Sequence, residues 1–115
     1  MKKPEVGLSH LRVTLGDTFY MGPGRADLLE GIAETGSIAE AAKRLGMSYK
    51  RAWSLVQAMN AGFGTALVET QRGGTGQGAS LSSHGRVVLD GYRRMEQATK
   101  DVIASDIRII QADMS

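Results

Sequence analysis

Residues 37–53 read SIAEAAKRLGMSYKRAW, and two helix starts can be found in them. Ser37-x-x-Glu40 has the form of a capping box, in which the Ser hydroxyl accepts from the third helical N–H and the Glu reaches back. Behind it Ile38, Ala41, Ala42 and Leu45 recur at i, i+3, i+4 and i+7, which predicts one buried face. Gly46 ends that helix, because it can take the left-handed backbone a sharp turn requires. Ser48 is a second N-cap, and the helix it opens puts Ala52, Leu55, Val56 and Met59 on one side. Lys50, Ser54 and Gln57 lie opposite, with Arg51 and Trp53 on the flanks. A short capped helix, a glycine turn and a second helix with a polar outer face form a helix-turn-helix.

In that motif the first helix braces across a phosphate backbone and the second enters the major groove with its N-terminal residues on base edges. The candidate DNA contacts are therefore Ser48, Tyr49, Lys50, Arg51 and Ser54, with Ser37 at the start of the bracing helix. Lys and Arg can address the guanine O6 and N7 acceptors, and Ser several bases. Charge points the same way. Net charge is only +2, but residues 41–89 hold six basic groups (Lys43, Arg44, Lys50, Arg51, Arg72, Arg86) against Glu69 alone. Such a cluster is the footprint of a polyanion partner, although a solvated helical hairpin would show the same charges.

Working outward, PGRADLLEGIAETG predicts a helix from near Pro23, with Leu28, Leu29, Ile32 and Ala33 as its apolar stripe and a stop at Gly36. LRVTL-GD-TFYMG before it reads as two short strands about a tight Gly16-Asp17 turn. After the helix pair, LVETQ from Leu67 and ASLS to Ser82 are strand candidates, separated by a stretch rich in glycine.

That stretch, RGGTGQGAS at residues 72–80, has two readings. No lysine follows its glycines, so it is not a P-loop. Gly74-x-Gly76-x-x-Ala79 fits a loose dinucleotide fingerprint, but that motif belongs at a strand-to-helix turn in a βαβ unit, and strand follows here. A hairpin after a helix-turn-helix is a wing, whose glycines let the backbone approach phosphates. Arg72, Thr75 and Gln77 are its candidate DNA contacts.

From Ser83 the pattern is helical to about residue 112. Val88, Tyr92, Met95, Thr99 and Val102 alternate by four and three as a heptad-like seam, with Ile103 beside it. Some 28 residues of helix would reach ~42 Å, more than a small core covers. These six residues are accordingly expected to meet a second copy. The fold class expected is α+β, mainly helical: a single winged helix-turn-helix domain over 1–115, with an N-terminal hairpin and a long dimerisation helix. Within it, about 22–82 form the helix-turn-helix and wing.

Zero cysteines exclude disulfides and thiolate chemistry. His10 and His84 are far apart in sequence and fit no metal spacing, no serine sits in G-x-S-x-G, and the carboxylates are scattered. No enzyme, metal or cofactor is expected. The N-terminus lacks the apolar run of a secretory signal, and a cytoplasmic location is expected.

From about Gly22 to Glu96 the chain resembles the N-terminal DNA-binding domain of the molybdate-responsive ModE-type regulators and, more distantly, the winged helices of LysR-type regulators. GPGRADLLEGIAETGSIAEAAKRLGMSYKRAW, AMN at Ala58–Asn60 and LVETQRGGTGQGASLSSHG carry the match, with Gln77 in place of one glycine of the family's loop. The resemblance implies that Ser48–Arg51 open a recognition helix, that residues 72–78 form the wing, and that homodimers act on inverted repeats, here as a repressor. Family members continue into oxyanion-binding domains that find no counterpart up to Ser115. Molybdate binding is therefore not expected, and a protein partner is a possible source of the signal. The competing expectations are an interaction module that has lost DNA binding and, from the glycine stretch, a small nucleotide-binding enzyme.

Overall fold

A computed structural model describes residues 6–71 and 78–114. Strands β1 (Val13–Thr14) and β2 (Tyr20–Met21) precede helices α1 (Pro23–Thr35), α2 (Ile38–Leu45) and α3 (Tyr49–Phe63). Strands β3 (Val68–Gln71) and β4 (Gly78–Leu81) follow, and α4 (Ser83–Met114) completes the chain. The winged helix-turn-helix architecture expected from the sequence is present.

The turns follow from local chemistry. Pro23 stands at the first position of α1, where its missing N–H costs nothing. Gly46 lies at φ 69°, and Met47 N–H reaches back to the Ala42 carbonyl at 3.0 Å. This wraps the last carbonyls of α2 and tucks Met47 against the core, as a Schellman turn does.

Leu28, Leu29, Ile32, Ala41, Ala52, Val56, Met59, Leu67 and Tyr92 lie at the centre of the core. Two predicted members fall outside it. Ala33 is exposed because Ala26 and Gly31 complete the buried face of α1 instead, and Leu45 stays 38% exposed in the last turn of α2. Gly31 is needed there: a Cβ on it would stand 3.0 Å from the Ala41 methyl group, so α1 and α2 close to small-residue contact.

The first hairpin corrects the expected tight turn. Val13 pairs with Met21, Thr14 with Tyr20, and Leu15 N–H donates to the Phe19 carbonyl at 3.1 Å, so three residues, Gly16 to Thr18, make the turn where two were expected. The longer loop lets Phe19 fold back onto Phe63, ring centroids 4.3 Å apart, where a Cβ on Gly16 or Gly62 would strike its ring. The second hairpin pairs antiparallel from Val68↔Leu81 to Gln71↔Gly78. It is tied to the end of α1 by Ala79 N–H donating to the Gly36 carbonyl at 2.9 Å.

At 32 residues α4 is longer than expected, about 48 Å, in a molecule 60 Å along its major axis. Its first turns are docked. Ser82 accepts from Gly85 N–H and donates to the Ala66 carbonyl at 2.6 Å, and Gly85 lies so close under the Leu67 carbonyl that a Cβ would overlap it. Arg93 then bridges back to α1 through Asp27 (2.8 Å) and Glu30 (3.3 Å), and along its own helix to Glu96 (3.1 Å). Partial burial works against its charge, but the hydrogen bond it donates to Asp27 and its interactions with Glu30 and Glu96 outweigh that and raise its pKa.

Tyr92 is 1% exposed, and its hydroxyl donates to the Leu11 carbonyl at 2.8 Å. The ring therefore belongs to the core of its own chain and not to an outward seam, and Val88 packs partly against the same core. Burial, and then the Glu96 carboxylate, push the Tyr92 pKa above the usual tyrosine range. Its neutral form is thus the stabilising one. That contribution is complete below about pH 10 and is lost as pH rises toward the folded-state value. Replacing Tyr92 by Phe should cost about 1 kcal/mol through the lost hydrogen bond and flatten this alkaline loss in thermal melts. An unchanged melting temperature and pH profile would contradict the role assigned to the hydroxyl.

Candidate nucleic-acid interface

The helix-turn-helix presents one polar face. Ser37 Oγ accepts from Glu40 N–H and Ser48 Oγ from Arg51 N–H, both at 3.1 Å. Only half of the predicted capping box forms. Thr35 Oγ1 lies 3.2 Å from Ser37 N–H and accepts from it, taking the place expected of the Glu40 side chain. Ser37 and Ser48 each keep a hydroxyl proton to donate elsewhere.

Tyr49, Lys50, Arg51, Ser54 and Gln57 are exposed along α3, while Ala52, Val56 and Met59 anchor its other side. The basic residues divide into two groups. Arg44 is paired with Glu34 at 3.3 Å and Arg86 with Asp90 at 3.8 Å, so both are partly neutralised. Lys43, Lys50 and Arg51 make no ion pair with described residues. The positive field therefore concentrates around the α2–α3 turn and the first turn of α3. Arg72, Thr75 and Gln77 lie outside the described residues.

Between this face and the second hairpin runs an open groove of about 340 Å³, bordered by Ser37, Tyr49, Trp53, Thr70 and Gln71. Tyr49 and Trp53, one turn apart, stack with centroids 6.4 Å apart and planes at 25°. Among the site residues, the sequence brought forward Ser37 and Tyr49 but not Trp53, Thr70 or Gln71. The i, i+4 aromatic spacing was the available signal for Trp53. Thr70 and Gln71 had none, since only the hairpin's docking on α1 brings them here.

Asn60 holds the hairpin at its angle to α3. Its Oδ1 accepts from Leu67 N–H (2.8 Å) and Val68 N–H (3.1 Å), and its Nδ2 donates to the Val68 carbonyl at 3.1 Å. His84 is exposed at the start of α4, with its ring edge-on to Phe63 at 6.3 Å. Among the described residues no cluster of His, Cys, Asp or Glu could hold a metal, and no helix is long and apolar enough to cross a membrane.

Two capped helices around a glycine turn, the second helix with an exposed basic first turn and a hairpin beside it, occupy the segment that matches a known family. Residues 25–86, just over half the chain, match the bacterial regulatory helix-turn-helix proteins of the lysR family. The chain belongs to that family. As a helix-turn-helix regulator of the LysR/ModE type it has relatives among molybdenum-linked proteins. It is 37% identical over 94 residues to the molybdenum-pterin-binding protein MopB of Rhodobacter capsulatus, covering 81% of this chain and 35% of that one. To the DNA-binding transcriptional dual regulator ModE of Escherichia coli K12 it is 36% identical over 100 residues, covering 84% and 38%. The chain spans about a third of the length of these curated relatives. Among solved structures, the CbnR DNA-binding domain in complex with DNA aligns with a TM-score of 0.57 at 27% identity, over 77% of this chain and 95% of that one. Full-length LysG of Corynebacterium glutamicum, with bound effector Arg, aligns at 0.56 and 26% identity over 74% and 28%. The ModE-type resemblance drawn from the recognition-helix and wing segments is borne out.

Proposed function

We propose that this LysR/ModE-type regulator binds double-stranded DNA in a sequence-specific manner as a homodimer, on an inverted repeat, and represses where that repeat overlaps a promoter. The observation that carries the reading is the first turn of α3: Lys50 and Arg51 are exposed, with no ion pair among the described residues, on a helix whose opposite face is locked into the core. Long cations held in this way add charge without adding stability, which fits a face awaiting an anionic partner. Ser48, Tyr49 and Ser54 extend the same face, Ser37 would meet the backbone, and the wing would supply Arg72, Thr75 and Gln77.

The dimer reading draws support from α4. Val88 and Tyr92 serve the protomer's own core, but Met95, Val102 and Ile109, seven residues apart, are 40%, 76% and 66% exposed. This is the spacing of a helix–helix seam. Thr99 lies between Met95 and Val102 on the same reading, and Ile103 borders a shallow groove against Val6 and Leu8 of its own chain. Two copies joined along this seam would present two recognition helices to half-sites about 34 Å apart. Val102→Glu should therefore give a folded monomer in sedimentation equilibrium, with a melting curve that no longer depends on protein concentration. A dimer that survives this change would move the interface elsewhere.

The direct test of function is selection of bound sequences from random duplex DNA, with affinity followed from low to physiological salt. A palindromic consensus and an affinity that falls steeply with salt are expected. Enrichment of nothing, with no salt-sensitive binding, would favour an interaction module that reads protein.

A further inference from the structure

We propose that the groove between α3 and the β3–β4 hairpin is the seat of one deoxyribose–phosphate strand, with Trp53 as the positioning residue that grips it. This rests on the DNA-binding reading and adds a residue to which no role has so far been given. The residues that border the groove can all donate: Ser37, Tyr49 and Thr70 carry hydroxyls, Gln71 an amide and Trp53 an indole N–H. Among the described residues no carboxylate lines it, and its remaining walls are Ile38, Ala39, Gly78 and Ala79. The Trp53 indole N–H has no partner among the described residues.

This mixture selects its occupant. An apolar effector would cover the donors without pairing them, which is costly. A free oxyanion would leave the aromatic and aliphatic walls unmet. A nucleic-acid strand offers acceptor oxygens on its phosphates and an apolar edge on each sugar, and meets both. The groove is also continuous with the Lys50–Arg51 face through Tyr49, so a helix lodged in the major groove would bring the flanking strand onto Trp53. Half-buried against the core, Trp53 has its ring orientation fixed before any partner arrives.

Trp53 is the chain's single tryptophan, so its emission reports this groove and nothing else. In one titration, a fluorescein-labelled mixed-sequence duplex of about 30 bp reports binding of the full chain by anisotropy at low salt. In a parallel one, the unlabelled duplex is added while acrylamide probes Trp53. Saturating DNA is expected to shield Trp53 from acrylamide and shift its emission. Trp53→Phe, which keeps the packing and loses only the N–H and some surface, should bind more weakly with an unchanged melting temperature. Trp53→Ala should bind about tenfold more weakly, the scale of one lost hydrogen bond to a charged phosphate. If anisotropy saturates while Trp53 stays as open to acrylamide as in the free protein, and Trp53→Phe binds like the wild type, the groove is not the seat, though the DNA-binding reading stands. If no duplex binds at any salt, both fall.

Discussion

Replacing Lys50 and Arg51 together by alanine is expected to lower affinity for the selected operator by about a hundredfold or more. A well-formed contact to a base edge is worth ~1–3 kcal/mol of discrimination. Two adjacent contacts share the same groove, so their losses need not add. Binding to unrelated duplex should fall less, and its salt slope should shrink by roughly one for each cation that had neutralised a phosphate. The fold should be untouched, because both side chains are exposed, make no ion pair among the described residues, and alanine suits a helix. Arg44→Ala is the informative comparison: Arg44 lies in the same basic segment but is held by Glu34, so its loss should matter far less. Anisotropy titrations on operator and scrambled duplexes check all three statements. A double variant that keeps operator affinity would remove the first turn of α3 from the interface.

Asn60→Ala should produce the largest loss of stability, about 3–5 kcal/mol if each orphaned backbone group costs ~1–3 kcal/mol. The side chain satisfies Leu67 N–H, Val68 N–H and the Val68 carbonyl at once. Leu67 and Val68 are 0% and 2% exposed, so water can replace little of this. For a domain near this size, that corresponds to a fall in melting temperature of roughly 15 °C or more. Asn60→Asp keeps the acceptor for both N–H groups but loses the donor and adds a charge, and should fall between wild type and Ala. Because Asn60 also sets the hairpin against α3, DNA affinity should fall in the variant at temperatures where it is still folded. Calorimetry with a parallel binding titration would show this, and a melting temperature within a degree or two of wild type would contradict it.

Asn60 illustrates how far reading the chain in one dimension reaches. It stands within a segment that resembles the family, but nothing about an asparagine late in a helix indicates that it meets backbone seven and eight residues on. The caps are the opposite case. Ser37, Ser48, Gly36 and Gly46 act on groups three to five residues away, and each is found where the sequence placed it. Even there one detail changed, since Thr35, and not Glu40, accepts from the Ser37 N–H. Lys50 and Arg51 were legible as surface residues because helical period alone turns them away from Ala52, Val56 and Met59.

Tyr92 shows the limit of that period. Its spacing relative to Met95, Thr99 and Val102 marks an apolar stripe, but one stripe can face the chain's own core at one end and open solvent at the other. Which end does which depends on where α1 ends up, and α1 is held to α4 by Arg93 across more than sixty residues of sequence. The same holds for Thr70 and Gln71, ordinary strand residues until the Gly36 carbonyl accepts from Ala79 N–H and swings the hairpin beside Trp53. Helices, caps, turns and the basic face of α3 arise from interactions within a few residues, and so they could be read directly from the order of amino acids. The groove, the angle of the hairpin and the division of α4 into a buried and an exposed half arise from contacts between distant segments. Their partners become neighbours only when the chain has closed around a shared core.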